Sequence, residues 1–414
     1  MVPNLTGLRI GIVDQTASGW VAASIYSRMI LRSLEAAAFN APAVELYFLG
    51  AQGNDDHLPG PHRATPMHLT NVDYIPGERQ LRRLLRLNEK SRAWPGESRL
   101  RKALRLTSQS DVFSLARQNR IDVLLPLLDL PPWRIDTRTI GWIPDFQHVH
   151  LPEFFSQRDL DQRNATYQRL AERASVVMLS SRAAQDDFAG FVPAHAHKSR
   201  AIPFPSLLVF DTLADNPIAT RTKFNLPEKF AMVANQFWAH KNHALVVRAL
   251  ELLRTRGINI PVVMTGLPAD HRDPANKNFS SLLQAIASAG LHQQIIILGL
   301  VPYADLVNLM RTATLIIQPS RFEGWSTVVQ DAVALGRPLL CSDIAVHREQ
   351  APNALGFFAT DDAELLAELL ASHWQQLTPG PDPELENRSL ASEQNTAARH
   401  GQSLLSLCRE VAAA

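Results

Sequence analysis

Two successive series of short apolar runs, each alternating with stretches of helical period, constrain the fold of this chain more than any other feature. The first series is Leu8–Val13, Val44–Leu49, Ile121–Leu125, Thr139–Ile143 and Ser175–Leu179. The second series is Phe230–Ala234, Ile260–Thr265, Gln294–Leu298, Ala313–Gln318 and Pro338–Cys341. Apolar runs without strict alternation are typical of parallel strands that helices cover on both faces. The sequence therefore predicts an α/β protein with two Rossmann-like parallel sheets and right-handed crossovers.

The break between the two series marks the domain division. Prolines cluster between 193 and 227, where no periodicity is visible, and this stretch is interpreted as a linker. We predict an N-terminal domain over 1–200, a C-terminal domain over 201–390, and a last helix over 391–414 that packs either back on the N-terminal domain or on the C-terminal domain. Parallel sheets bind ligands beyond the carboxyl ends of their strands, so two facing domains would form a site in the cleft between them.

Composition excludes several classes of function. The net charge of +1 over 414 residues offers no field for nucleic acid. Only Cys341 and Cys408 are present, too few for a disulfide framework or a thiol zinc site. No apolar run reaches the roughly 18 residues that span a bilayer, and Leu8–Val13 has the pattern of a strand rather than of a signal peptide. We expect a cytoplasmic protein.

The segment from Gln318 to Pro338 carries the most specific pattern. A strand ends near Gln318, Glu323 and Gly324 lie in a short loop, and Ser326 is a favourable N-cap for the helix that follows. Backbone amides at the start of this helix, over 326–328, favour a phosphate or diphosphate. The alternative is a capped surface helix whose acidic residues only complement its dipole.

This segment resembles the acidic motif of retaining glycosyltransferase family 4, whose fold is GT-B, although Asp331 stands where that family has a second glutamate. The resemblance implies that Glu323 contacts the transferred sugar and that Asp331 holds the ribose of the nucleotide. The backbone between them would bind the diphosphate, and the donor-binding residues in this segment would be Gly324, Trp325, Ser326, Thr327, Val328 and Asp331.

A second loop, Val233–His243, is similar to a bacterial subgroup with the pattern Asn-Gln-Phe-Trp-x-His-Lys-Asn-His. The resemblance gives Lys241 the role of stabilising the departing diphosphate, with donor contacts from Asn235 and Gln236, the latter where the family has arginine. The alternative for Lys241 is a solvated lysine at a helix start. His240 is three residues from His243, but no further ligand at metal spacing follows, so we expect no metal and no other cofactor.

The first domain contributes two further candidates. The segment Trp142–Phe155 resembles the family's acidic and proline-containing block, but Pro144 replaces the histidine expected to touch the donor sugar. We hypothesise that His148 assumes this role, the alternative being a core histidine. The loop after the first strand makes Gly19 and Trp20 further donor-binding candidates.

A basic stretch over 78–105 holds ten Lys or Arg and three Glu, for a local net charge of +7. It is either a helix lying on the inner surface of the membrane or a solvated face. The resemblance implies a retaining enzyme that moves a sugar from a nucleoside diphosphate-sugar to a hydroxyl of a glycan or lipid-linked acceptor, in polysaccharide assembly. The alternatives are a catalytically weak scaffold that binds sugar nucleotides, and an epimerase or phosphorylase of the same fold.

Overall fold

The structure is a computed structural model, and it describes residues 7–15, 21–39, 41, 43–50, 67–71, 112–211, 213, 216–270 and 272–414. The basic stretch over 78–105 and the candidates Gly19 and Trp20 lie outside the described residues. Among the described residues, no helix is both long and apolar enough to cross a bilayer.

Two parallel sheets form the framework. The first has seven strands in the order β3-β2-β1-β4-β5-β6-β7. These strands are β1 (Leu8–Val13), β2 (Val44–Gly50), β3 (Met67–Asn71), β4 (Val123–Leu127), β5 (Arg138–Ile143), β6 (Val176–Leu179) and β7 (Ser199–Ala201). The second has six strands in the order β10-β9-β8-β11-β12-β13. They are β8 (Ala231–Ala234), β9 (Val262–Thr265), β10 (Ile295–Gly299), β11 (Leu315–Gln318), β12 (Leu339–Ser342) and β13 (Gly356–Phe358).

Both strand orders are doubly wound, because the chain reverses direction across each sheet after its third strand. All ten predicted strands are present within three residues of their expected ends, so the prediction of an α/β fold with two Rossmann-like sheets is confirmed. Strands β3, β7 and β13 were not predicted. In this fold the ligand site of each sheet lies beyond the carboxyl edge, next to the reversal between β1 and β4 and between β8 and β11.

Helices cover both faces of each sheet. In the first half they are α1 (Val21–Ala38), α2 (112–118), α3 (Gln147–His150), α4 (Gln157–Arg173) and α5 (Arg182–Phe191). In the second half they are α6 (Pro217–Lys223), α7 (His243–Thr255), α8 (Lys277–Ser288), α9 (Tyr303–Thr312), α10 (Thr327–Ala334), α11 (Ala345–Gln350), α12 (Ala363–Trp374) and α13 (Pro383–Ala413). Separate apolar clusters fill the two faces of each sheet.

The last helix, α13, contacts both halves of the molecule. Near its start, Glu386 forms a buried ion pair with Arg311 of α9, with 3.0 Å between Arg311 Nη2 and Glu386 Oε2. Near its end, Leu404 and Cys408 belong to the apolar cluster of the first sheet. Gly401 permits this packing, since a Cβ there would lie 2.2 Å from the carbonyl oxygen of Ser33 in α1.

The stretch interpreted as a linker contains more regular structure than expected. Helix α6 begins at Pro217, where the side chain of Asn216 caps it by accepting from the amide of Ala219 at 3.2 Å. Proline at the first helical position is favourable, because the amide that it lacks has no acceptor there. The proline-rich composition concealed this short helix.

Candidate functional site: the cleft at Glu323

The carboxyl edges of the two sheets meet at Gly324. This residue lies in the loop between β11 and α10, and a Cβ added to it would lie 2.0 Å from the carbonyl oxygen of Pro144. The same Cβ would lie 2.8 Å from the Cβ of Asp145, just beyond the end of β5. Glycine is therefore required at 324 by the close approach of the other domain. The resemblance makes Gly324 a donor-binding residue, whereas the nearest neighbour of its added Cβ is the backbone of the first domain.

Glu323 and Lys241 form an ion pair beside this contact. The distance between Lys241 Nζ and Glu323 Oε1 is 2.6 Å, and the two side chains are 15% and 8% exposed. The residues are 82 positions apart, and they meet because the β8–α7 and β11–α10 loops both leave the carboxyl edge of the second sheet. Lys241 and Glu323 thus form a pair of one cation and one carboxylate that neutralise each other.

Local backbone conformation places Lys241 at the cleft. A short 3₁₀ turn, Ala239–Lys241, is followed by Asn242 in the left-handed region with φ 58° and ψ 36°. Asparagine tolerates this conformation better than most residues. Its side-chain amide donates to the carbonyl oxygen of Pro319 (3.1 Å), in the β11–α10 loop, and to that of Thr360 (2.7 Å), which follows β13, and these bonds hold the Lys241 loop against both segments.

A buried amide orients Glu323. Gln318, the last residue of β11, donates from Nε2 to Glu323 Oε1 at 2.9 Å and to Ser326 Oγ at 3.0 Å. The amide of Asn235 in turn donates to Gln318 Oε1 at 2.7 Å. Asn235 is therefore placed behind the carboxylate, where it positions Glu323 through Gln318. The neighbouring candidate, Gln236, accepts from the backbone amide of Leu267 at 2.6 Å.

The N-terminus of α10 presents two backbone amides rather than three. Ser326 is the N-cap, and its hydroxyl accepts from the amide of Val329 at 3.3 Å. The amide of Ser326 itself donates to Gln350 Oε1 at 2.9 Å, which the sequence did not reveal. Within the described chain, the amides of Thr327 and Val328 have no protein acceptor, as expected for the first two positions of a helix. These two amides can bind an anion.

Asp331 has a protein partner already. Its Oδ1 accepts from the hydroxyl of Ser206 at 2.6 Å, and Ser206 belongs to the segment that joins the two halves of the chain. Burial raises the pKa of the Asp331 carboxyl to about 7. The backbone amide of Ser206 donates to Glu393 Oε1 at 2.9 Å, so the same residue also contacts α13. A ribose contact from Asp331 would have to form beside the bond to Ser206.

Trp325 faces the first domain. Its indole nitrogen donates to the carbonyl oxygen of Phe204 at 3.1 Å, and its ring packs partly buried against the apolar cluster of the first sheet. Its role in the structure is to anchor the β11–α10 loop to the connecting segment. The expected donor contact would therefore come from the backbone around Trp325 and not from its indole nitrogen.

His148 lies in the core of the first domain. It is 3% exposed, and its ring packs against Tyr167 with 5.2 Å between centroids. Its Nε2 lies 3.1 Å from Asn164 Oδ1, and burial lowers the pKa of the imidazole. The hypothesis that His148 replaces the histidine missing at Pro144 conflicts with this position, since the ring is enclosed by aromatic side chains. The core alternative fits the geometry.

The histidines of the second loop are buried as well. Burial is the main cause that lowers the pKa of His240 well below its usual value and that of His243 to about 3. The ring of His243 stacks on Phe237 at 4.5 Å. Over the part of the chain that the structure describes, no three His, Cys, Asp or Glu side chains cluster in a way that could hold a metal ion.

Two further contacts across the cleft were not predicted. The carboxylate of Glu349 accepts from the amide of Arg182 at the first turn of α5, at 3.0 and 3.1 Å. The ring of His150 lies 5.0 Å from that of Phe322, which precedes Glu323. These contacts join residues more than 160 positions apart, so no local sequence pattern could indicate them. They hold the two carboxyl edges together around Glu323.

The fold and the arrangement of loops at the cleft define the GT-B class, two doubly wound domains with their carboxyl edges facing each other. Residues 217–376 match the family model described as glycosyl transferases group 1, and this range contains strands β8 to β13. The match covers the Lys241 and Glu323 loops and leaves the first domain outside. Among curated proteins, no sequence match was found.

Solved structures with similar folds span nearly the whole chain. A glycosyltransferase from Rickettsia africae ESF-5 is 14% identical, with TM-score 0.61 and coverage of 99% of both chains. Anabaena Alr3699/HepE, in complex with UDP and glucose, is 16% identical, with TM-score 0.57 and coverage of 97% of this chain and 99% of that one. A trehalose-6-phosphate protein from E. coli, bound with UDP-2-fluoro glucose, is 12% identical, with TM-score 0.62 and coverage of 97% and 98%. These similarities establish the GT-B fold.

Proposed function

We propose that the chain transfers a sugar from a nucleoside diphosphate-sugar to a hydroxyl group of a glycan or lipid-linked acceptor, with the anomeric configuration retained. The observation that carries the proposal is the pairing of Lys241 with Glu323, 2.6 Å apart, next to the two open amides of α10. A cation and a helix N-terminus favour a diphosphate, and a carboxylate beside them favours sugar hydroxyls. The family match of residues 217–376 and the sugar nucleotides bound by similar structures support this assignment.

In the proposed reaction, the bond between the anomeric carbon and the β-phosphate oxygen breaks, and the acceptor oxygen bonds to the same face of that carbon. The proton of the acceptor hydroxyl passes to the departing phosphate oxygen, and the nucleoside diphosphate leaves. Lys241 and the amides of Thr327 and Val328 stabilise the negative charge that develops on the diphosphate. Glu323 positions the sugar by accepting from its hydroxyl groups.

We expect Lys241 to change partner during this cycle. Its ammonium group is bound to Glu323 in the structure, and the diphosphate would compete for the same group. Binding the donor therefore frees the Glu323 carboxylate for the sugar at the moment when Lys241 engages the phosphate. Gln318 keeps its bond to Glu323 throughout, which holds the carboxylate in place while its other partner is exchanged.

The test begins with binding and proceeds to chemistry. Titration calorimetry with UDP, GDP, ADP and dTDP identifies the nucleotide, and UDP is the first choice because two similar structures contain it. The matching UDP-sugar is then followed by proton NMR without an acceptor. Slow release of free sugar, first in the donor's anomeric form, is expected of a retaining transferase. Release of the opposite anomer first would refute retention, and absence of binding to every nucleotide would refute the proposal.

One observation favours a second candidate, a scaffold that binds sugar nucleotides without turnover. His148 is 3% exposed in the core, so it does not replace the sugar-contacting histidine that the family has at Pro144. This loss would lower turnover while the diphosphate contacts of Lys241 and of α10 remain. The scaffold predicts nucleotide binding with no release of sugar above the rate without protein, so the same NMR experiment separates the two candidates.

A further inference from the structure

A cavity lies on the first domain's side of the cleft, apart from the Lys241–Glu323 pair. Its volume is about 300 Å³, at the lower end of the range for ligand pockets. One face of helix α4 forms its wall, through the side chains Asp159, Gln162, Arg163, Thr166 and Tyr167. The ring of Phe155 and the guanidinium group of Arg272 complete the lining. None of these residues belongs to the donor site described above.

The cavity lies next to the Glu323 loop. Arg163 in its wall contacts Asp145, with 3.3 Å between Arg163 Nη1 and Asp145 Oδ1. Asp145 is also the residue whose Cβ faces Gly324 across the cleft. Arg163 and Asp145 therefore connect the wall of the cavity to the loop that carries Glu323.

Arg272 reaches the cavity from the second domain. Asp270 fixes its guanidinium group through two bonds of 3.0 Å, and Gln147 of the first domain accepts from its Nη1 at 3.1 Å. The group also lies over the rings of Phe155 (5.4 Å) and Trp238 (5.2 Å), one from each domain. The cavity is thus complete only while the two domains are closed on each other.

The charges of the lining do not select an anion. Arg272 is balanced by Asp270, and Arg163 is balanced by Asp145, while Asp159 adds a further carboxylate to the wall. A phosphate or carboxylate ligand would meet no unpaired cation and would be repelled by Asp159. The cavity therefore suits a neutral ligand.

We propose that this cavity binds a neutral sugar unit of the acceptor, an inference that rests on the proposed function. Sugar hydroxyls both donate and accept hydrogen bonds, and the wall offers an acceptor in Asp159 and both kinds of group in Gln162 and Thr166. The C–H face of a pyranose ring is apolar, and the part of the Phe155 ring left open beside the guanidinium groups of Arg163 (4.9 Å) and Arg272 (5.4 Å) provides a small apolar surface. The acceptor is then a glycan with at least two sugar units, one in the cavity and one carrying the reacting hydroxyl.

The probes are neutral disaccharides: maltose, cellobiose, lactose, mannobiose and diacetylchitobiose. Each is added to the full chain with UDP present, and saturation-transfer NMR reports binding. At least one is expected to bind the parent chain. Gln162→Ala is expected to weaken its binding about 2- to 10-fold, the loss of one hydrogen bond. Thr166→Trp, which fills the cavity, is expected to abolish it.

Gln168→Ala is the matched control, because Gln168 is an exposed glutamine of the same helix that does not line the cavity. It should bind the same disaccharide as tightly as the parent chain does. UDP affinity, measured on every variant, should be unchanged and reports correct folding. Failure of the parent chain to bind any nucleotide refutes the proposed function, whatever the disaccharides do.

Three results would overturn the cavity proposal. The first is that Thr166→Trp binds the disaccharide as tightly as the parent chain does. The second is that the parent chain binds UDP but none of the disaccharides. The third is that the parent chain binds glucose 6-phosphate or glucuronic acid in preference to the neutral probes. Should Thr166→Trp fail to fold, the comparison of Gln162→Ala with Gln168→Ala decides, and equal affinities in these two variants contradict the proposal.

Discussion

The two charges of the Lys241–Glu323 pair should have opposite effects on nucleotide affinity: removing the lysine should lower it, and removing the glutamate charge should raise it. Lys241 is the cation that we assign to the diphosphate, so Lys241→Met is expected to weaken UDP binding about 100-fold, typical for one charged contact to an anion. Glu323→Gln removes a negative charge that competes with the diphosphate for Lys241. It should therefore bind UDP several-fold more tightly than the parent chain and yet release sugar from the UDP-sugar about 10²- to 10³-fold more slowly.

The contribution of the Lys241–Glu323 pair to the free energy of unfolding can be worked out from its geometry. At 2.6 Å and an effective dielectric constant of about 20, the Coulomb attraction is about 6 kcal/mol, and desolvation offsets most of it. A net coupling of about 2 kcal/mol remains. Lys241→Met leaves the 8% exposed carboxylate without its cation and with Gln318 as its hydrogen-bond donor, so it should lower the melting temperature by about 5 °C. Glu323→Gln should lower it less, because the flexible lysine can reach solvent.

The assay is a double-mutant cycle of Lys241→Met and Glu323→Gln, read by calorimetric unfolding with and without UDP. Lys277→Met serves as the control, since Lys277 is an exposed lysine of the same domain. The coupling should be present without UDP and should nearly vanish with UDP bound, when Lys241 has changed partner. A coupling that persists at full size in the UDP complex would refute the exchange of partners, and an unchanged rate of sugar release from Glu323→Gln would refute the role of the carboxylate.

Three further predictions concern the surroundings of the site. Gly324→Ala should push the domains apart, because the Cβ of the alanine would lie 2.0 Å from the carbonyl oxygen of Pro144. X-ray scattering should then show a larger radius of gyration, and proton NMR should show slower release of sugar. Gly190→Ala, with open space around its Cβ, should change neither, and a compact Gly324→Ala would contradict the argument. Asp331→Asn should stabilise the chain at pH 8 but not near pH 4. Because the pKa of Asp331 is raised to about 7 in the folded protein, the parent chain loses stability as the pH rises from about 4 through 7, and asparagine avoids this loss. Denaturant titrations at both pH values measure the difference in the free energy of unfolding. His148→Ala should lower the melting temperature by several degrees, through lost aromatic packing, while sugar release stays within about a factor of two of the parent rate; a larger loss of rate would restore a catalytic role.

The sheets could be predicted because most of their strands are apolar runs of four or more residues that alternate with stretches of helical period. The strands that were not predicted lack this pattern. Strands β7 and β13 have only three residues each, Ser199–Ala201 and Gly356–Phe358, too short for any periodicity. Strand β3 (Met67–Asn71) has polar residues among its five and forms an edge of its sheet. Their positions are set by pairing with a neighbouring strand, and this tertiary contact is absent from local sequence.

The meeting of Lys241 and Glu323 could also be predicted in outline. Each residue follows a strand of the same parallel sheet, and the carboxyl ends of such strands share one edge. The residues that orient and bury this pair could not be predicted in the same way. Gln318 and Gln350 were visible in the sequence, yet a buried glutamine has no pattern that tells which of its neighbours it will bind. The bond from Ser206 to Asp331 joins residues 125 positions apart and depends on how the connecting segment crosses α10.

These long-range bonds connect the donor site to the segment between the domains. Gln350 holds the amide of Ser326 at 2.9 Å, and its own Nε2 lies 3.4 Å from Gln330 Oε1. Gln330 and the backbone of Ser206 both donate to the same oxygen of Glu393 in α13. Helix α13 pairs with Arg311 of the second domain through Glu386 and packs on the first domain through Leu404, so this chain of bonds ties α10 to a helix that spans both domains. At its other end, the chain of bonds reaches the backbone amide of Ser326, one residue before the amides that we assign to the diphosphate. Donor binding and domain closure therefore act on one connected set of side chains.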